Sequence, residues 1–282
     1  MPKLNDNDNE YDLIIEPGRT RLNYWRDLWT YRELFYFLAW RDFLVRYKQT
    51  VIGVAWSVVR PVLTMLIFTV IFSKVAKLPS DGAAPYAILV FAALLPWQLF
   101  SNALSESSNS LIANTNMLSK IYFPRLIIPA SSIIVALVDF LISFAILLVL
   151  MAWYQYVPSW RLIFVPLLLL LTLATALGAG LWLSALNVMY RDFRYIVPFI
   201  IQLGLFVSPV GFSSNVIDNE WRLLYSFNPM VGVIDGFRWA ILGGDSNLYL
   251  PGFMLSTGVV FLLLIVGISY FRRVEQTFAD VI

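Results

Sequence analysis

Apolar positions in this chain come in long runs rather than alternations, and the runs are separated by short polar stretches. A helix needs about 20 apolar residues to cross the ~30 Å hydrocarbon core of a bilayer. That ruler marks six spans: 54–75, 85–105, 127–152, 161–186, 196–213 and 253–271. Pro96-Trp97 interrupts the second and Ser208-Pro209 the fifth. The expected fold class is therefore an all-α membrane protein with six transmembrane helices per subunit. Only a tight turn near Pro158-Ser159 joins the third and fourth spans. Residues 214–252 mix Trp221, Tyr225, Phe227, Phe237 and Trp239 with polar residues. This segment is too polar to span and too apolar to be a free loop, so it predicts re-entrant or interface-lying helices before the last span.

The stretch Tyr31–Phe72 begins mixed and ends apolar. Read as a helix, its first half places Tyr36, Trp40, Phe43 and Tyr47 at spacings of four, three and four, in one stripe flanked by Arg32 and Arg46. Aromatic rings beside arginines suit the lipid headgroup layer. The opposite side carries Arg41 and Lys48 with Leu34, Leu38 and Val45, so the helix is expected to touch protein as well as lipid. The same spacing also fits a plain juxtamembrane anchor. Three regions result: a mobile cytosolic extension over 1–30, an amphipathic interface helix over 31–50, and a transmembrane domain over 51–282.

Charge sets the orientation. With the N-terminus inside, fifteen Lys and Arg fall on the cytosolic side and five (Lys74, Lys77, Arg161, Arg222 and Arg238) outside, which favours both termini in the cytosol. The polar cytosolic segment Glu106–Pro124 is helix-compatible before its proline, and the next cytosolic loop, 187–198, is short and charged. No internal repeat is evident. Ala176, Gly180 and Ser184 form a small-residue stripe, read as a packing contact within one subunit.

Composition narrows the chemistry. The 282 residues are 59% apolar and only 13% charged, without a single Cys or His. Disulfides, thiol chemistry, His acid–base work and His-based zinc sites are thereby excluded. There is no P-loop, HExxH or GxSxG motif, so no catalytic or metal-ligating residue is assigned. The polar, acidic N-terminus lacks the apolar core of a signal peptide. One ionisable residue, Asp139, lies deep in a span, where an unpaired charge costs ~2.5–3.5 kcal/mol on insertion scales. It reads either as a conformational latch or pathway residue, or as a carboxyl hydrogen-bonded to a neighbouring helix.

Five pieces in order (WRDFLVRYKQTVIGVAWSVVRP, LSKIYFPRLIIP, NVMYRDFRYIVP, SPVGF and NPMVGVIDGFRWAIL) give the chain from about residue 30 onward a family likeness. It resembles the membrane subunit of ABC-2 type polysaccharide exporters, the group of the O-antigen and teichoic-acid export permeases. The resemblance implies a homodimer in the bacterial inner membrane, joined to two cytosolic ATPase subunits that hold the ATP and Mg. The chain itself would bind no cofactor and no nucleic acid. The implied cargo is a lipid-linked polysaccharide. Tyr36–Gln49, with Arg41 and Arg46, becomes a gate helix. Coupling helices fall in 107–124 and 188–195, so that Lys120, Tyr122, Phe123, Pro124 and Arg125, then Tyr190, Arg191, Asp192 and Phe193, face the ATPase.

The path for cargo is expected between the two copies, along the first and fifth spans. Its candidate lining is Trp56, Phe68, Phe72, Trp97, Phe206 and Phe212, with Arg60 suited to a pyrophosphate. The alternatives are an ABC-2 permease for a drug or lipid, a proton-coupled carrier resting on Asp139, and a membrane-embedded glycan-modifying enzyme. The absence of His, of Cys and of clustered intramembrane carboxylates counts against the enzyme.

Overall fold

The structure is a computed structural model and describes residues 20–48, 53–118, 120–121, 123–275 and 278. These are all helical or irregular, with no strand among them. In order the helices are α1 (Thr20–Thr30), α2 (Arg32–Lys48), α3 (Gly53–Phe68), α4 (Tyr86–Ala113), α5 (Thr115–Leu118), α6 (Ile127–Trp153), α7 (Val165–Met189), α8 (Phe193–Val207), α9 (Asn219–Tyr225), α10 (Pro229–Leu242) and α11 (Leu250–Val274). A π-helical stretch, Thr69–Val75, prolongs α3.

Among the described residues, five helices are long and apolar enough to cross a membrane: 55–75, 86–113, 127–153, 160–189 and 250–274. The stretch expected as a fifth span forms only the 15-residue α8, about 22 Å at 1.5 Å per residue. Ser208 then leaves helical geometry ahead of Pro209, because the residue before a proline disfavours the helical region.

α4 is the central post, buried from Ala87 to Trp97 on all sides. α6, α7 and α10 pack around it. The main core lies at this level, with Phe91, Leu94, Phe140 and Phe237 among its buried residues. A second core gathers Tyr24, Leu38, Phe123, Leu181, Phe271 and Phe278 at the end of the bundle that holds α1 and the C-terminal end of α11. We call this the basic end.

Three expectations are corrected. Pro96 does not interrupt the second span, since α4 runs unbroken through it to Ala113. An internal proline removes one backbone hydrogen bond, and a helix enclosed by neighbours keeps its course despite that loss. The helix expected in 106–124 is consequently the end of α4 plus the four residues of α5. Finally, residues 20–30 of the supposed mobile extension are helix α1. α1 joins α2 through Tyr31 N–H to Asp27 O and Phe35 N–H to Tyr31 O, and it is anchored by buried Tyr24.

The small-residue stripe on α7 faces α4: a Cβ on Gly180 would lie 2.5 Å from Ser107 Oγ. It packs within the subunit, as read from the sequence.

Candidate functional site

α6 is apolar almost throughout, and its one carboxylate, Asp139, is turned inward and buried. Four side chains from three other helices converge on it. Oδ1 accepts from the Tyr47 hydroxyl of α2 at 2.6 Å and from the Ser57 hydroxyl of α3 at 3.0 Å. Oδ2 receives the Arg46 guanidinium of α2 at 2.7 Å and, at 3.5 Å, the Asn102 amide of α4. Arg46 also reaches Glu106 of α4 at 3.3 Å. One guanidinium thus serves two carboxylates, which is how a charge inside a bundle is made tolerable. Burial, then the bond to Asp139, pushes the Tyr47 hydroxyl up to about 12, so it stays protonated and donates. Of the two readings of Asp139, the hydrogen-bonded carboxyl describes the geometry. Its partners on α2 make it a tie between the amphipathic helix and the bundle.

The aromatic stripe of α2 divides along its length. Tyr36 is 69% exposed and Trp40 half-exposed. Trp40 stacks on Phe43 (5.3 Å between centroids, 23°), and Phe43 leans on Tyr47 at 5.0 Å. The stripe therefore runs from the surface at Tyr36 into the bundle at Tyr47. Leu38 and Ala39 bury the other side. Arg41 bonds Asp42 and, at 2.8 Å, Asn114 Oδ1, so it braces α2 against the end of α4. Gln49, the end of the expected gate helix, lies outside the described residues.

The two expected coupling segments differ. Tyr190, Arg191 and Asp192 are exposed, and Phe193 is half-buried beside the Leu104–Leu183–Val197 cluster. In the other segment Lys120 is exposed, while Phe123 and Pro124 are buried and Arg125 is half-buried. Tyr122 lies outside the described residues. Asn187 of α7 donates to Ser108 O of α4 at 3.0 Å, so the helix ends that lead into the two segments lie side by side.

The path candidates also separate. Trp56, Arg60 and Phe206 are exposed, Phe72 and Phe212 are half-buried, and Phe68 and Trp97 are buried. Trp97 sits against Gly204 of α8, where a Cβ would be 2.8 Å from its ring. Phe72 lies against Gly211, where a Cβ would be 2.3 Å away. This contact joins the first-span helix to the segment after α8.

Sequence reasoning counted Arg238 among outer-side charges and missed its role. Arg238 is buried and donates to the carbonyls of Phe212 (2.8 Å), Val210 (3.2 Å) and Leu89 (3.4 Å). The Tyr86 hydroxyl donates to Gly211 O at 2.7 Å. Backbone that leaves a helix at membrane depth must find donors within the protein, and one arginine supplies several. The signal was available: SPVGF breaks a span, and Arg238 is the one cation of a largely apolar helix whose other charge is Asp235. Among the described residues no group of three or more acidic side chains is placed to hold a metal ion.

The described residues thus form a multi-span helical bundle with a tied amphipathic helix and an exposed charged turn, the architecture of a polytopic membrane protein. A family model for ABC-2 type transporters matches residues 33–242, and the chain belongs to that family. Members of the family act with an ATPase partner. The chain is 28% identical over 243 residues to the O-antigen export system permease protein RfbA of Klebsiella pneumoniae, covering 86% of this chain and 92% of that one. A protein of the same name from Myxococcus xanthus is 29% identical over 215 residues, 76% of this chain and 82% of the relative. The polysialic acid transport protein KpsM of Escherichia coli is 24% identical over 246 residues, covering 84% and 91%.

Proposed function

We propose that this chain is the permease subunit of an ABC exporter that moves a lipid-linked polysaccharide across the bacterial inner membrane, driven by ATP hydrolysis on a separate subunit. The observation that carries the reading is the collinear match to relatives named for two different polysaccharides, over 92% and 91% of their lengths. What those two names share is the class of cargo. A homodimer with two ATPase subunits completes the assembly, with both termini in the cytosol. α8 and the Arg238-held segment 208–213 together make the sixth crossing.

Geometry supports the assignment of parts. α2, with Tyr36, Trp40, Phe43 and Tyr47, is the gate helix, held by Arg46 and Tyr47 on Asp139. The exposed turn Tyr190–Asp192 with Phe193, and the segment Lys120–Arg125, are the ATPase contacts. Trp56, Arg60 and Phe206 face outward on the helices of the first and fifth spans, where a second copy would close a path. Phe72 and Phe212 stand at its far end, and buried Phe68 and Trp97 back its wall. The family match disfavours the proton-carrier alternative, and Asp139, paired with Arg46, has a part as the tie that holds α2.

The test is purification of tagged protein from its native membranes in mild detergent, with mass spectrometry of the proteins that accompany it, alongside surface glycan analysis of a deletion strain. A stoichiometric ATPase and loss of surface polysaccharide are expected. A homomer without ATPase after gentle crosslinking, or unchanged surface glycan, would overturn the reading.

A further inference from the structure

At the basic end, α1 and the C-terminal end of α11 meet the segment between α5 and α6. The main-chain N–H of Arg125 donates to Glu275 Oε1 at 2.7 Å, and the Arg125 guanidinium donates to the Glu275 main-chain carbonyl at 2.5 Å. The second carboxylate oxygen, Oε2, accepts from the Tyr24 hydroxyl of α1 at 3.0 Å. Arg272 lies over the Tyr24 ring, 4.6 Å from its centroid. Phe123, Phe271 and Phe278 are buried around this group. An apolar side chain would fill such a core without the desolvation cost of a carboxylate, so stability alone does not account for Glu275. Its geometry does. One residue bonds the backbone that leaves the segment 120–125, the helix that opens the described residues, and its own helix at the other end of them.

We propose that Glu275 is a positioning residue for energy coupling, a clamp that passes displacement of residues 120–125 to α1 and α11 instead of letting it be absorbed at Pro124. The proposal rests on the reading of that segment as an ATPase contact. Its reach comes from connectivity. α1 continues into α2 through hydrogen bonds across Tyr31, and the far end of α2 carries Arg46 and Tyr47 on Asp139. The α1–α2 pair is therefore tied twice, to Glu275 near its start and to Asp139 near its end. A stiff element held at two points moves at one when displaced at the other. The coupling travels through packed and hydrogen-bonded groups that a mutation can cut singly.

The experiment uses the permease with its ATPase in proteoliposomes and reads ATP hydrolysed per polysaccharide exported. Glu275→Ala is expected to raise that ratio about tenfold, in line with losing hydrogen bonds to a charged group, with ATPase binding and hydrolysis within about twofold of wild type. Glu275→Gln keeps an acceptor for the Arg125 N–H and an amide for the Tyr24 oxygen, and is expected to restore the ratio to within about threefold. Tyr24→Phe, which removes one hydroxyl, is expected to raise the ratio several-fold. It carries the test if Glu275→Ala does not reach the membrane. A wild-type ratio in the best-folded variant overturns the clamp. So does loss of the ATPase from both Glu275 variants, which would mark a docking support. Failure of the wild-type protein to bind an ATPase overturns the proposed function instead.

Discussion

Gly178 on α7 and Gly267 on α11 face each other with no room for a methyl group. A Cβ built on Gly267 would lie 2.1 Å from Gly178 O, and one on Gly178 would lie 2.7 Å from Leu264 N. Both obstacles are backbone, which cannot rotate away. Small residues that let two helices approach this closely are a main source of association where water provides no driving force. Gly267→Ala is expected to destabilise the protein by about 3 kcal/mol or more, at the upper end of overpacking effects. Gly258 lies on the same helix with nothing within 4 Å of its Cβ position. Gly258→Ala is expected to be neutral or mildly stabilising, by up to ~1 kcal/mol. Thermal unfolding in detergent compares the two. Equal melting temperatures would contradict the close contact.

Asp139 and Arg46 can be separated from their surroundings by a double-mutant cycle. Asp139→Asn keeps the shape and the acceptor for Tyr47 but ends the ion pair. Arg46→Gln ends it from the other side and frees Glu106 as well. The pair is expected to show a coupling free energy of about 1–3 kcal/mol, as contacting residues in one network do. Protease susceptibility of α2 should rise in both single variants and no further in the double. Tyr47→Phe should loosen α2 as well, while Tyr36→Phe, at an exposed ring, should not. A proton-coupled carrier would lose all transport in Asp139→Asn, whereas an exporter with a loosened gate retains a measurable fraction.

Arg238 supports a break in a helix. Arg238→Met fills the volume but leaves the carbonyls of Val210 and Phe212 without this donor. Each orphaned group costs ~1–3 kcal/mol, so the variant is expected to express poorly and unfold well below wild type. Arg238→Lys is expected to rescue only in part, since one ammonium lacks the planar fork that reaches several carbonyls. Full recovery with Lys would mean that charge alone matters.

The class of fold was legible because bilayer thickness is written into run length, and the runs fall where the helices lie. The limits of that ruler show at three places. Pro96 looks like a break, yet tertiary enclosure by α6, α7 and α10 carries α4 through it. α8 is shorter than its apolar run, because Ser208-Pro209 ends the helix and Arg238 satisfies the freed carbonyls of Val210 and Phe212. That partnership spans 26 to 28 residues of sequence, too far for a local pattern to show it. Tyr24 looked like part of a polar tail, because its partner Glu275 is 251 residues away. The aromatic stripe of α2 was legible from its spacing. That its last ring would turn into the bundle was not, since only the fold brings Asp139 to it.

Arg191 and Asp192 stand exposed in the turn between α7 and α8. Reversing both charges, Arg191→Glu with Asp192→Lys, keeps net charge and removes complementarity to a partner docked there. Membrane insertion is expected to persist, with stability lower by about 1 kcal/mol because Asp192 is the N-cap of α8 and a lysine there opposes the helix dipole. Export is expected to fall at least tenfold while hydrolysis persists, measured in the reconstituted assembly. Wild-type export would remove this turn from the ATPase contact.

Glu275 also predicts a dependence on pH. Burial raises its carboxyl above the ordinary 4.5, and the hydrogen bonds from the Arg125 N–H and Tyr24 only partly offset that. The positive charges of Arg125 and Arg272 also favour the carboxylate, and burial still outweighs them. Burial likewise raises the Tyr24 hydroxyl, followed by the effect of the Glu275 carboxylate, so Tyr24 donates to Oε2 while Glu275 is ionised. A carboxyl whose pKa is higher folded than unfolded contributes stability that is fully present below the unfolded value. That contribution is lost as pH rises through the folded value. Glu275→Gln does not titrate and cancels the contributions of all other groups when the two proteins are compared. The melting temperature of wild type minus that of Glu275→Gln is therefore expected to grow more positive as pH falls from about 8 to about 5. A difference that shrinks over the same range would mean that hydrogen bonding outweighs burial at Glu275.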